Sequence, residues 1–221
     1  NNSGKTFFAL EIALAVLMQN KRVVIYSMEM SHKDLAGRLM GNLAEMNSYK
    51  ILKGILNDDE MERQNEAKAK LYESKLTIYQ DLDNYEEIKM SMYSENMREK
   101  VDLFIIDYMQ LLKSPDKTEY QLMTEASSEF QSLGRKTGIP IIALSQVSNE
   151  TAKNPNSAVG GFKGSGGIEA SSDLSIKLVQ TEDIRAIQKK QQERIPINID
   201  LIITKNRHGI KGAYPMSFDG Y

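Results

Sequence analysis

The chain has 221 residues, is 41% hydrophobic and 26% charged, and carries a formal net charge of −2, which suits one α/β domain of ordinary globular composition. Cysteine is absent, which excludes a disulfide framework and any Cys-based zinc site and is compatible with a reducing compartment. No apolar run approaches the roughly 20 residues needed to span a bilayer. A charge this close to zero excludes a whole-protein positive field as the means of holding nucleic acid, leaving only local Lys/Arg clusters for that purpose.

The first six residues, Asn1-Asn2-Ser3-Gly4-Lys5-Thr6, fill the last six places of the pattern G-x-x-x-x-G-K-[ST]. A Gly-rich turn running into a helix N-terminus aims backbone N–H groups at phosphate oxygens. Ser3 and Gly4 belong to that cradle, Lys5 would reach the β- and γ-phosphates, and the Thr6 hydroxyl would sit on Mg²⁺. The expected ligand is a nucleoside triphosphate. The first glycine of the pattern and the strand feeding it would precede Asn1, so the sequence reads as a piece of a longer protein.

A helix follows from Thr6 to about Gln19, with Phe8, Ile12, Ala15 and Val16 predicted on one face. Residues 22–27 (RVVIYS) read as a strand. Ser31 can cap a helix carrying Leu35, Leu39 and Leu43, and Asp58 or Asp59 can cap a charged helix running to about Ser74. Asn84 with Glu87 resembles a capping box. Residues 101–107 (VDLFIID) form the next apolar run, a polar amphipathic helix covers about 119–136, and residues 139–145 (IPIIALS) form a third run. The fourth is 197–204 (INIDLIIT), with a weaker strand at 173–179 (DLSIKLV). Apolar runs alternating with helices predict a mainly parallel sheet buried on both faces. Segments 148–167, rich in Asn, Ser and Gly without a period, and 181–194, highly charged with a KKQQER run, resist assignment, and the chain has neither an internal repeat nor a visible domain boundary. Met28, Met30, Met90 and Met92 read as packing, and His32 and His208, without metal-ligand spacing, as surface residues.

A polar residue closes or follows each main strand: Glu29, Asp107, Gln146, and the pair Lys205 and Arg207. In open α/β sheets the ligand lies outside the carboxyl ends of the strands, so a parallel sheet would gather these groups beside Lys5 and Thr6. Asp107 matches the carboxylate that holds the Mg²⁺ shell of a nucleotide hydrolase. Glu29 could polarise the attacking water, although an acid there also suits a helix start. Gln146 could bond the γ-phosphate or the water. Arg207 is a candidate finger for a neighbouring subunit, or an ordinary turn residue beside Asn206, His208 and Gly209.

In this order the motifs resemble the ATPase domain of DnaB-type hexameric replicative helicases, a branch of the RecA-like motors. The resemblance is carried by SGKTFFALEIA, VVIYSMEMS with LAGRLM, ILKGILNDDEM, LFIIDYMQLL, GIPIIALSQVSN, GSGGIEASSDLSIKL and IITKNRHGIKG, and it covers essentially the whole chain. It implies a RecA-like P-loop NTPase fold: a mostly parallel twisted sheet flanked by helices, with a C-terminal antiparallel extension. It implies a single ATPase domain over 1–221 that lacks its first strand, with a primase-contacting N-terminal domain and linker outside this chain. ATP and Mg²⁺ would be bound at the interfaces of a homo-hexamer, with Glu29 as catalytic glutamate, Gln146 as nucleotide sensor, and Lys205 and Arg207 reaching the adjacent subunit's γ-phosphate. Single-stranded DNA would run in a central channel lined by the loops at 148–166, held by Lys153, Lys163 and the backbone of Gly164 and Gly166. Primase and a loader would act through other regions, no membrane would be involved, and the setting would be the cytoplasm of a bacterium or the replication system of a phage. The sequence departs from the family pattern at Asn149, at Lys163-Gly164 and at Ala170-Ser171-Ser172, which makes the channel loops less charged than usual. A recombinase-type ATP-binding protein of the same fold, or a non-hydrolysing assembly or loading module, is the alternative reading.

Overall fold

The computed structural model describes residues 4–146, 166–183, 186–187, 189–190 and 195–218. The predicted α/β class is what it shows: a four-stranded parallel sheet covered by helices, and a separate three-stranded antiparallel sheet formed later in the chain. The parallel sheet has the order β2-β1-β3-β4, with β1 Val23–Ser27, β2 Leu76–Gln80, β3 Leu103–Asp107 and β4 Ile141–Ala143.

Every residue of β1 and β3 is buried. Because side chains alternate along a strand, Val24, Tyr26, Phe104 and Ile106 face one core with α5 (Tyr85–Arg98) and α6 (Glu119–Thr137). Val23, Ile25, Leu103 and Ile105 face the other, with α1 (Lys5–Leu17) and α2 (His32–Ala44). This is the two-sided burial that a continuous apolar run predicts. It does not extend to β2 and β4, which lie at the edges and are largely half-buried. The polar-interrupted β2, LTIYQ, has neither a continuous apolar run nor clean alternation, so the sequence carries no strand signal there.

Helix starts follow side-chain capping. Ser31 accepts from the Asp34 N–H as expected. Asn57, not Asp58 or Asp59, caps α4 (Asp58–Glu73), which follows the short α3 (Ser48–Lys53), and forms a full capping box with Glu60. Asn84 accepts from the N–H groups of Glu86 and Glu87, and a second full box joins Thr118 and Gln121 at the start of α6. On α1 the core face is Ala9, Leu10, Ala13, Leu14 and Leu17, whereas Ala15 is exposed. The predicted face was rotated because α1 is apolar nearly all round, so its period carries little direction. Of the four methionines read as packing, Met92 is fully buried but Met90 is 71% exposed on the outer side of α5.

The antiparallel sheet has the order β5-β6-β7, with β5 Leu174–Gln180, β6 Ile197–Asn206 and β7 Gly212–Phe218. The apolar runs at 173–179 and 197–204 therefore lie in the C-terminal antiparallel extension that the family resemblance implies, not in the parallel sheet that their apolar character alone suggests. The start of β6 alternates buried and exposed, as a one-sided sheet requires. Ile187, Ile197 and Ile199 form its small core with Leu178, Met216 and Phe218. Phe218 also meets Phe7 of α1 edge to face, with ring centroids 4.6 Å apart. That contact ties the last strand to the first helix.

Candidate functional site

After β2 the chain crosses back over β1 to lay down β3 on its other side. This reversal opens a crevice at the carboxyl ends of β1 and β3, where α/β sheets bind ligands. Ser27 ends β1 level with Asp107 at the end of β3. The pairing continues one step, with the Met28 N–H donating to the Asp107 carbonyl at 2.8 Å. Ser27 then closes a tight turn, its hydroxyl donating to the Met30 carbonyl at 2.9 Å and accepting from the Met30 N–H at 3.2 Å. Glu29, exposed, stands on that turn.

Gly4 adopts φ 76°, a left-handed conformation that favours glycine, and begins α1 without a side-chain cap or any acidic residue in the first turn. The helix N-terminus is thus free of a protein anion from its own turn, a setting that favours phosphate. The Thr6 hydroxyl donates to Asp107 Oδ2 at 2.9 Å. Burial pulls the Lys5 ammonium below its ordinary value, while the Asp107 and Glu29 carboxylates pull it back up. Asp107 is only 3% exposed, and burial is the main reason its carboxyl titrates above the usual aspartate range. The Thr6 hydrogen bond opposes that rise, the Glu29 charge adds to it, and Arg38 and Lys5 oppose it. Lys5, Thr6, Asp107 and Glu29 therefore share one electrostatic site, drawn from α1, β3 and the turn after β1.

Two residues here were not singled out in the sequence. Arg38, on α2, acts on Asp107 through its charge. It stands nine positions after Glu29, and only the packing of α2 beside β1 turns that spacing into proximity. Gln110 lies in a 3-10 turn, Met109–Leu111, just past β3. Its amide donates to the Gln146 carbonyl at 3.2 Å and accepts from the Gln146 N–H at 3.1 Å, and it donates to the Ser145 hydroxyl at 2.7 Å. A side-chain amide thereby continues the ladder between β3 and β4 and holds Gln146 at the carboxyl edge. The DYMQLL motif carried that signal.

Lys205 and Arg207 do not join this group. The Lys205 ammonium donates to the carbonyls of Glu169 and Ala170, at 2.6 and 2.8 Å, closing the end of α7 (Gly166–Ala170). Arg207 donates to Asp173 Oδ1 at 2.7 Å. Lys205 lies on β6 of the antiparallel sheet and Arg207 just past its end, so of the strand-end groups only Glu29, Asp107 and Gln146 stand at the carboxyl edge of the parallel sheet. Ser3, Lys153, Lys163 and Gly164 lie outside the described residues, and Gly166 begins α7. His32 and His208 are exposed. Among the described residues no group of three or more His, Cys, Asp and Glu side chains could hold a metal ion, and no helix is long and apolar enough to cross a membrane.

The fold matches a solved ATPase domain with a TM-score of 0.83 at 22% identity, covering 98% of this chain and 78% of that one. It also matches a DnaB-like replicative helicase, solved in a study of its interactions with primase, with a TM-score of 0.82 at 22% identity over 98% of this chain and 54% of that one. In sequence it is 26% identical to the replicative DNA helicase DnaB of Helicobacter pylori, over 98% of this chain and 51% of the relative. It is 28% identical to a probable plasmid replicative DNA helicase of Chlamydia trachomatis, over 98% of this chain and 46% of that protein. The chain spans about half the length of these curated relatives. The family described as DnaB-like helicase C-terminal domain matches residues 1–221, and the chain belongs to that family.

Proposed function

We propose that this chain is the ATP-hydrolysing motor domain of a replicative DNA helicase, working at subunit interfaces of a ring that moves on single-stranded DNA. The observation that carries the reading is the convergence of Lys5, Thr6, Asp107 and Glu29 at the head of α1. Lys5 and the α1 N–H groups would bind the triphosphate, compensating the desolvation that depresses the lysine. Mg²⁺ fits the oxygen pair of Thr6 and Asp107, since a buried carboxylate next to a second acid gains from a cation, and when bound it would neutralise charge on the phosphates. Glu29, exposed on its turn, would orient the attacking water. Gln146, fixed through its backbone by Gln110, would read the γ-phosphate from the neighbouring strand end.

Lys205 is bonded to the end of α7 and Arg207 to Asp173, both away from Lys5 of the same chain, which supports a role toward a neighbouring copy. Arginines supplied this way contribute roughly 10³–10⁵ in rate. Translocation requires that nucleotide bind two interface states with different affinity, so that loss of the γ-phosphate shifts their populations. DNA held by backbone contacts would bind with strong salt dependence and little sequence preference.

ATP turnover by the full-length protein, with and without single-stranded DNA, is the test. Lys5→Ala should lower DNA-stimulated turnover by about 10²-fold or more. Turnover preserved in that variant would sink the assignment. Wild-type protein that binds ATP but neither hydrolyses it nor displaces a strand would instead favour a nucleotide-switched assembly module.

A further inference from the structure

Asp173 precedes β5 and lies across from Arg207, just past β6. Regular pairing runs from Gln180↔Ile199 to Ile176↔Ile203, then resumes at Ser175↔Lys205 and Leu174↔Asn206. Thr204 is the extra residue, a bulge that shifts the side-chain parity of everything after it. One residue without a partner moves a side chain to the opposite face of a strand. The bulge therefore sets the face on which Lys205 and Arg207 emerge.

Beyond it, Arg207 is pinned twice to one residue. Its backbone N–H donates to the Asp173 carbonyl at 2.9 Å, and its guanidinium donates to Asp173 Oδ1 at 2.7 Å. The same oxygen accepts from Gln131 Nε2 at 3.1 Å and from an Arg135 guanidinium nitrogen at 3.2 Å, both on α6. Asp173 and Arg207 side chains are each 43% exposed. A pair this open adds little to stability, typically below about 1 kcal/mol. Three donors on one half-exposed oxygen are better explained by orientation than by stability, because a charge-assisted bond fixes the direction of a planar guanidinium.

We infer that Asp173 is a positioning residue for Arg207, holding the guanidinium toward the neighbouring subunit and anchoring it through Gln131 and Arg135 to α6. The inference rests on the trans role of Arg207 given above. Helix α6 packs against β4 and the 3-10 turn that carries Gln110. The anchor therefore links the arginine of the antiparallel sheet to the strand end that holds Gln146.

ATP turnover on single-stranded DNA by the full-length protein tests it, with Asp173→Ala, Arg207→Ala and the double variant compared. Asp173→Ala should lower kcat roughly 10- to 100-fold, the penalty of a misplaced catalytic group, with the KM for ATP, the particle mass and the Tm unchanged. In the Arg207→Ala background the same substitution should have no further effect. A wild-type kcat for Asp173→Ala beside a slow Arg207→Ala overturns the inference alone, as does an equal slowing by Asp173→Ala with and without Arg207. A wild-type rate for Arg207→Ala removes the trans finger itself, and this inference with it. If Asp173→Ala does not assemble, Asp173→Asn keeps the shape and the backbone bond, and it should still lower kcat several-fold; an unchanged kcat there overturns the inference.

Discussion

Asp107 carries the electrostatic strain of the site. Its carboxyl is buried, and burial, reinforced by Glu29, outweighs the Thr6 hydrogen bond and the nearby Arg38 and Lys5 charges, so it titrates above the usual aspartate range. A raised folded-state value means that the folded protein favours the protonated acid. Its stabilising contribution is complete below the ordinary aspartate value and is lost as pH rises through the raised one. Ionisation of Asp107 thus opposes folding of the nucleotide-free protein, a familiar trade between site chemistry and stability. Asp107→Asn should therefore raise the Tm at pH 7 without nucleotide or Mg²⁺ while abolishing turnover, and the gain should shrink toward pH 3. Thermal melts across that range check this; a lower Tm at pH 7 would contradict it.

At the scale of elements, α5 is fastened to the start of β1 by a buried ion pair. Arg22 donates to the Glu95 carboxylate and also to the main-chain carbonyls of Glu95 and Glu99, at 2.9 and 2.7 Å, where the helix ends. The Tyr79 hydroxyl and Arg98 bind the same carboxylate, at 2.6 and 2.9 Å. Burial would push Glu95 upward, but the bonds from Tyr79 and Arg22 hold it below the usual glutamate range. Its contribution is present at neutral pH and is lost as pH falls through that depressed value. Glu95→Ala strands Arg22 and should cost about 3 kcal/mol in urea unfolding. The pair Arg22→Met with Glu95→Leu should recover most of that loss, because apolar packing replaces a desolvated ion pair. Equal damage from the single and double variants would show that the ion pair itself, not the stranded charge, sets the stability.

Across the whole molecule, the two sheets meet where Phe218 of β7 packs on Phe7 and the Gly4 turn. A Cβ placed on Gly4 would lie 3.6 Å from the Phe218 ring. The antiparallel sheet has only a small core of its own, so this contact joins it to the head of α1. Phe218→Ala should destabilise the protein by about 2 kcal/mol, from lost apolar burial and one edge-to-face pair. Hydrogen exchange should accelerate in β5–β7 ahead of β1 and β3. Uniform acceleration across both sheets would mean that they unfold as one unit.

The sequence alone determined β1, β3 and the caps at Ser31 and Asn84, and it pointed to Lys5, Thr6, Glu29 and Asp107, which the fold gathers at the head of α1. Those features are local: two-sided burial demands a continuous apolar run, a cap demands a particular side chain, and a phosphate cradle demands glycine before lysine. Apolar runs do not encode their pairing partners, so tertiary structure decided that the strands at 173–179 and 197–204 are the ones that form the antiparallel extension implied by the family resemblance. It also decided the bulge at Thr204, the approach of Arg38 and the bonding of Arg207 to Asp173. Each of these depends on register between segments far apart in the chain, and a shift of one residue reverses the face on which a side chain emerges.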